Sequence, residues 1–255
     1  MINGGMKMEK TYTIKAFETR GEMGRAAARD VAAVIRNLLE VKKSIRMIFA
    51  AAPSQSDFLD AFTSDKSVDF SRIHAFHMDE YIGLNPDAPQ RFGNFLRESL
   101  FSKVCFASVS YLNGGAPDMD AECRRYAALL EEKPIDIVCL GIGENGHIAF
   151  NDPAVADFHD KKKVKIVELD AVCRQQQVND GCFSSLSEVP THAVTLTVPM
   201  LTSAAYHFCI VPTVRKAAAV RGAVYGALSE TCPATALRTC DNMTLYLDRE
   251  SASEL

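Results

Sequence analysis

The sequence predicts an α/β protein whose parallel sheet carries helices on both faces. Three observations predict it. Short apolar runs alternate with amphipathic stretches from end to end, the βαβα pattern of a sheet buried on both sides. The 255 residues are 47% hydrophobic and 24% charged, with 14 Gly and 10 Pro, an ordinary globular balance. No low-complexity linker or internal repeat divides the chain, so one domain over 1–255 is expected, with 1–10 a disordered extension.

A strand and then a helix are expected ahead of the second strand. From Thr19 to Lys42 the residues Met23, Ala27, Val31, Val34, Ile35 and Leu38 recur at three- and four-residue steps, which puts them on one stripe of a long helix. Lys42 and Lys43 suit its C-terminal end. Ile45 to Ala51 then reads as a buried strand, Ser54 to Phe62 as a short helix, Ile73 to Met78 as a strand and Arg91 to Phe101 as a helix. Ser108 to Leu112, Ile135 to Leu140, Val164 to Leu169, Tyr206 to Val211 and Met243 to Leu247 are further strands, with helical periodicity over Asp118 to Leu130 and Val214 to Leu228.

Charge and cysteine usage narrow the class. Twenty-eight Lys and Arg against 32 Asp and Glu leave a net charge of -4, so no general attraction to nucleic acid or anionic membrane is expected. No apolar run approaches the roughly 18–20 residues of a membrane helix, and the start MINGGMKMEK has charge without an apolar core segment. The eight cysteines contain no C-x-x-C or paired metal-ligand spacing, and several lie inside apolar runs. A cysteine inside such a run reads as a buried reduced thiol, which suits a cytoplasmic protein, and no metal site is expected.

In open α/β sheets ligands bind at the carboxyl ends of the strands, so polar clusters placed directly after strands have the best claim to chemistry. The first is Phe76-His77-Met78-Asp79-Glu80-Tyr81-Ile82-Gly83-Leu84. Alternation sends Asp79 and Glu80 to opposite sides, so one carboxylate can face the crevice while the other faces a helix or solvent. The second runs from Leu140 to Pro153, where Gly141, Gly143 and Gly146 let the backbone turn sharply and approach a ligand. His147 lies among them, with Asn145 and Asp152 near in sequence. A carboxylate can fix its tautomer and make it a proton carrier near neutral pH. The glycine spacing also fits a dinucleotide fingerprint, but Phe150-Asn151-Asp152-Pro153 interrupts the helix that a pyrophosphate site needs.

At these two segments the sequence resembles the glucosamine-6-phosphate deaminase/isomerase family. The resemblance rests on Met78-Asp79-Glu80-Tyr81 and on Asn145-Gly146-His147-Ile148-Ala149-Phe150-Asn151-Asp152-Pro153. Leu112-Asn113-Gly114, Val189 to Thr197 and Cys232 to Leu237 add to it, so that it spans about Ile45 to Asp248. It implies a single α/β domain with a Rossmann-like parallel sheet, and a reaction that opens an amino-sugar phosphate, moves a proton from C2 to C1 and releases ammonia, without metal or organic cofactor. By motif, Asp79 would take the C2 proton and His147 would open the ring, with Asn145 and Asp152 orienting the imidazole. The family more often has an acid where this chain has Asn145, and a glutamate where it has Asp152.

The resemblance also marks departures where relatives hold phosphate. A glycine-lined turn is replaced by Ala51-Ala52-Pro53-Ser54-Gln55. Ser54 and Ser56 still stand at a predicted helix N-terminus, where free N–H groups attract an anion. Ala51, Ser54, Gln55, Glu80, Gly143 and Gly146 are the expected substrate-lining residues. The positions of a phosphate-pairing lysine and arginine map to Asn242 and Ala205, leaving Arg174, Arg215, Lys216 and Arg238 as replacement cations. The expected partner is a small-molecule sugar phosphate, with a possible homo-oligomer. Two other functions remain open at the level of sequence. One is a 6-phosphogluconolactonase-like hydrolase, though those usually follow the histidine with Thr-Ala-Ser-Leu-Phe. The other is a non-catalytic sugar-phosphate sensor.

Overall fold

The computed structural model describes residues 12–255, so the extension expected over 1–10 lies outside the described residues. Ten strands and seven helices follow one another among them. They are β1 (Tyr12–Phe17), α1 (Arg20–Val41), β2 (Ile45–Phe49), α2 (Ser56–Ser64), β3 (Ile73–His77), β4 (Asp79–Tyr81), α3 (Phe92–Leu96), β5 (Ser108–Ser110) and α4 (Met119–Glu131). Then come β6 (Ile137–Leu140), β7 (Val164–Glu168), α5 (Ala171–Asn179), β8 (His192–Leu196), α6 (Val198–Thr202), β9 (Tyr206–Val211), α7 (Ala217–Tyr225) and β10 (Met243–Asp248).

Seven strands form a parallel sheet in the order β1-β10-β9-β6-β2-β3-β5. The order reverses between β2 and β6, whose carboxyl ends open the crevice in which such sheets bind ligands. Every residue of β2 and β6 is buried, which is why both read as unbroken apolar runs rather than alternations. Helix α1 starts where Thr19 accepts from Glu22 N while Glu22 reaches back to Thr19 N, a reciprocal cap of two otherwise orphan donors. Its stripe buries Met23, Ala27, Val31 and Ile35 at 0–1% exposure. Burying a side chain the size of Ile35 stabilises by about 1.5–3 kcal/mol.

The expectation of one parallel sheet is corrected in one respect. The Val164 strand does not join it but pairs antiparallel with β8, which pairs antiparallel with β4. The chain leaves the large sheet after His77 and enters this small one at Asp79. Met78 marks the break, its carbonyl accepting from Leu196 N at 2.8 Å. The helix expected from Ser54 begins as a tight 3-10 turn over Pro53–Gln55 and becomes α-helical only at Ser56. Likewise the helix expected from Val214 opens with a 3-10 turn over Val214–Lys216.

Candidate active site

A pocket opens between the turn after β2 and the loop after β6. It is lined by Ala51, Ser54, Gln55, Asp79, Gly143 and His147, with Gln176, Gln177 and Lys216 from later in the chain. The two clusters separated by 60–70 residues in sequence therefore meet in space, as expected from their places after strands. Strand β8 joins them: Thr195 pairs with Asp79, and its hydroxyl accepts from Phe150 N at 3.1 Å.

Asp79 is 6% exposed and makes no side-chain hydrogen bond among the described residues, with Oδ1 fully buried. Burial, and then the neighbouring Glu80, push its carboxyl well above the usual carboxylate range. That is the setting of a carboxylate with raised proton affinity, suited to taking a proton from carbon. His77 holds its main chain. Leu112 N–H donates to His77 Nε2 at 2.9 Å, which leaves Nδ1–H to donate to Asp79 O at 2.9 Å. Tyr126 brackets the same residue, accepting from His77 N and donating to His77 O. Complete burial brings His77 down to about 4, so the ring is neutral in this role.

Glu80, expected among the substrate-lining residues, turns the other way. Its carboxylate accepts from the backbone N–H groups of Tyr81, Phe92 and Gly93 at 2.9–3.0 Å, and Arg91 stands 3.7 Å away. It caps the first turn of α3 and fixes the strand that carries Asp79. The strand alternation thus separates a free carboxylate from a structural one.

His147 is held from one side only. Its Nδ1 lies 2.7 Å from Asn145 Oδ1 and 2.9 Å from Asp152 Oδ1, which leaves Nε2 for a ligand. Asn145 Nδ2 donates in turn to Asp152 at 3.0 Å and to Asp170 at 3.1 Å. Burial pushes the Asp152 carboxyl up, but the hydrogen bonds and charge of His147 and the Asn145 amide outweigh it and hold it below its ordinary value. An amide suits this position because it donates to two carboxylates that a third acid would repel. Gly143 is required beneath the ring, since a Cβ there would stand 2.1 Å from His147 Cε1. Gly146 adopts φ +84°, the left-handed region that favours glycine.

The cations sort differently from the expectation. Asn242 and Ala205 are bonded to each other, Asn242 Nδ2 to Ala205 O at 3.1 Å, just before β10 and β9 begin, at the opposite end of the sheet from the pocket. They cannot hold its ligand. Arg174 closes a loop by donating to Leu186 O and Val189 O, and Arg238 does the same to Val224 O and Gly226 O. Arg215 bridges Glu144 at 3.3 Å and Asp180 at 2.7 Å. Lys216 is the cation that lines the pocket. It is 5% exposed, and its Nζ is buried without a hydrogen-bond partner among the described residues. Burial lowers its proton affinity, while Asp180 and Glu144 oppose that. A buried ammonium with no partner is a costly group that an anionic ligand would satisfy.

Ser54 and Gln55 supply neutral polar groups beside it. Gln55 Nε2 donates to Ile210 O at 3.0 Å and to Ser54 Oγ at 3.3 Å, tying the turn after β2 to β9. His147, Asp152 and Cys173 bring potential ligand atoms within 4.8 Å of one another. Burial raises the Cys173 thiol far above its ordinary range, and Asp152 already engages His147 Nδ1, so the trio reads as a hydrogen-bonded cluster rather than a metal centre. Among the described residues no helix is long and apolar enough to cross a membrane.

Comparison with known proteins identifies the family of the chain. The family model of glucosamine-6-phosphate isomerases/6-phosphogluconolactonase matches residues 18–246. A glucosamine-6-phosphate deaminase of Bacillus thuringiensis (strain Al Hakam) is 33% identical over 220 residues, covering 86% of this chain and 82% of that protein. One from Bacillus cytotoxicus is 34% identical over the same shares. The solved structure of a monomeric glucosamine-6-phosphate deaminase superposes with a TM-score of 0.86 at 30% identity, covering 95% of this chain and 100% of that one. The 6-phosphogluconolactonase of Trypanosoma brucei reaches 0.78 at 19% identity, over 97% and 100% of the two chains, a likeness of fold alone. On the extent of these matches, the chain belongs to the glucosamine-6-phosphate isomerase/6-phosphogluconolactonase family.

Proposed function

We propose that this enzyme converts glucosamine 6-phosphate, or a close amino-sugar phosphate, to the ketose phosphate and ammonia. The observation that carries the reading is the placement of an unpartnered, buried Asp79 in the same pocket as a His147 whose Nδ1 side is fully engaged. His147 Nε2 takes the proton of the C1 hydroxyl and returns one to the ring oxygen, which opens the pyranose. Asp79 then removes the C2 proton and delivers it to C1, while the amine gives up one proton and the aldehyde oxygen gains one, so that the 2-amino-aldehyde becomes a 2-imino-1-alcohol. Water adds to C2, the amine leaves as ammonia, and the 2-ketose remains. Lys216, with Ser54 beside the turn, receives the phosphate. A lactonase would use the histidine but gives the raised carboxyl of Asp79 no task.

The pocket takes all these groups from one chain, so a homo-oligomer is not needed to complete it, and a cytoplasmic setting is consistent with eight free thiols. The deciding experiment follows ammonia and ketose together in the wild type, Asp79→Asn and His147→Gln. Wild type should form the two products in equal amounts. Loss of the positioned base should cost about 10²–10⁴ in rate, whereas His147→Gln should spare exchange of the C2 proton in an already open analogue. An Asp79→Asn protein that folds and turns over normally would refute the assignment.

A further inference from the structure

Three glutamines line the pocket: Gln55, Gln176 and Gln177. Gln176 is engaged by the protein at both ends of its amide and Gln55 through its Nε2. Gln55 Nε2 serves Ile210 O and Ser54 Oγ. Gln176 Oε1 accepts from Glu144 N at 2.8 Å, and its Nε2 faces Asp180 Oδ2 at 3.4 Å. Gln176 therefore ties α5 to the loop that carries His147. Gln177 is 7% exposed, yet its side-chain amide makes no hydrogen bond among the described residues. Only its backbone carbonyl is engaged outside the helix, by Cys182 N at 3.0 Å.

The amide oxygen and nitrogen of Gln177 are not sealed off as Lys216 Nζ is; they keep contact with the pocket and are open to a ligand, which a leucine or methionine of similar size could not bond. The chemistry of the group narrows what could satisfy it. An amide offers one acceptor and two donors and no charge, which matches a hydroxyl, itself both donor and acceptor, better than a phosphate. The anion has Lys216 in the same pocket, and the reacting carbons have Asp79 and His147. Among the three glutamines, Gln177 is the one whose whole amide is left for the hydroxyls of the sugar.

We propose that Gln177 is the specificity-determining residue of this site, its side-chain amide hydrogen-bonding to one hydroxyl of the sugar. This rests on the amino-sugar phosphate reading for the substrate class, not on the reaction. A site that hydrogen-bonds a substrate hydroxyl discriminates against analogues lacking it, because its own buried group is then left unpaired. Gln177→Leu should accordingly weaken binding of the complete sugar and at the same time remove the ability to sense one particular hydroxyl.

The test is a binding cycle on the whole protein with 2-amino-2-deoxyglucitol 6-phosphate, which has no aldehyde and cannot react. Its 3-deoxy and 4-deoxy analogues and inorganic phosphate complete the set, titrated by calorimetry into wild type, Gln177→Leu and, as a second variant of similar length, Gln177→Met. In the wild type, deleting one of the two hydroxyls should raise Kd about 10- to 100-fold. In both variants the parent alcohol should bind weaker by a similar factor, and that same deletion should cost nothing more, with inorganic phosphate binding unchanged. The inference is overturned if the variants bind the parent alcohol as wild type does, or if both deletions cost the same factor in every protein. Failure of the wild type to bind the alcohol overturns it together with the substrate class. Ammonia release by the wild type is followed separately: binding without ammonia release sinks the proposed reaction and leaves Gln177 standing.

Discussion

Replacing Lys216 with methionine should convert a phosphate-selective enzyme into one that barely distinguishes the phosphorylated sugar from the free one. The expectation follows from burial: the ammonium is 5% exposed, lines the pocket and has no partner for Nζ among the described residues. A pair of unit charges 4 Å apart attracts with about 4 kcal/mol at an effective dielectric of 20, before desolvation is subtracted. Truncating one member of a buried, hydrogen-bonded charge pair costs about 2–5 kcal/mol, or roughly 30- to 5000-fold in kcat/KM. The turn after β2 cannot supply that much. Ser54 Oγ already accepts from Gln55 Nε2, and Asp57 in the first turn of α2 opposes an anion there, although Arg20 pairs with it at 2.6 Å. The assay is kcat/KM for glucosamine and glucosamine 6-phosphate in the wild type, Lys216→Met and Ser54→Ala. The ratio of the two substrates should collapse by at least 30-fold in Lys216→Met and by only a few-fold in Ser54→Ala, while activity on free glucosamine stays within about 3-fold. An unchanged ratio in Lys216→Met would show that the phosphate lies elsewhere and that the buried ammonium serves another purpose.

Gly143→Ala should fold but lose about 10² or more in kcat/KM, because its Cβ would meet the His147 ring at 2.1–2.4 Å and displace it. Retained activity would mean that the ring position is not critical. Asn145→Asp should destabilise the protein at pH 7 by about 2–4 kcal/mol, since it replaces a donor to Asp152 and Asp170 with a third carboxylate. Thermal melts at pH 7 and pH 5 should show the deficit shrinking in acid, and a deficit independent of pH would contradict the like-charge explanation. His77 titrates at about 4 in the folded protein against a reference of 6.5, so between those values the unfolded chain binds the extra proton. Its contribution is fully present above pH 6.5 and is lost as the pH falls toward 4, about 3 kcal/mol in all. Urea denaturation across that window should be visibly flatter in His77→Asn, and an identical slope would remove His77 as the acid-sensitive group.

Sequence alone determined the parts of this protein that are encoded locally. The 3.6-residue stripe of α1 and the apolar runs of β2 and β6 could be read because each element's burial leaves its period in consecutive residues. Asp79 and His147 were legible for a related reason: both follow strands, in loops whose polar and glycine-rich composition interrupts the apolar pattern. Tertiary structure decided what depends on distant partners. Strand β4 is three residues long and carries no period of its own, so its place in an antiparallel sheet follows only from pairing with β8, more than 100 residues onward. Asp79 and Glu80 were equivalent carboxylates until the backbone amides at 92 and 93 claimed one of them. Lys216, in a run that reads Val-Arg-Lys-Ala, looks like an ordinary charge at the start of a helix, and its neighbour Arg215 is one. The 3-10 turn ahead of α7 turns Lys216 into the pocket while leaving Arg215 on the surface with Asp180. Burial of a charge is set by the packing of segments remote in sequence, and no local pattern records it.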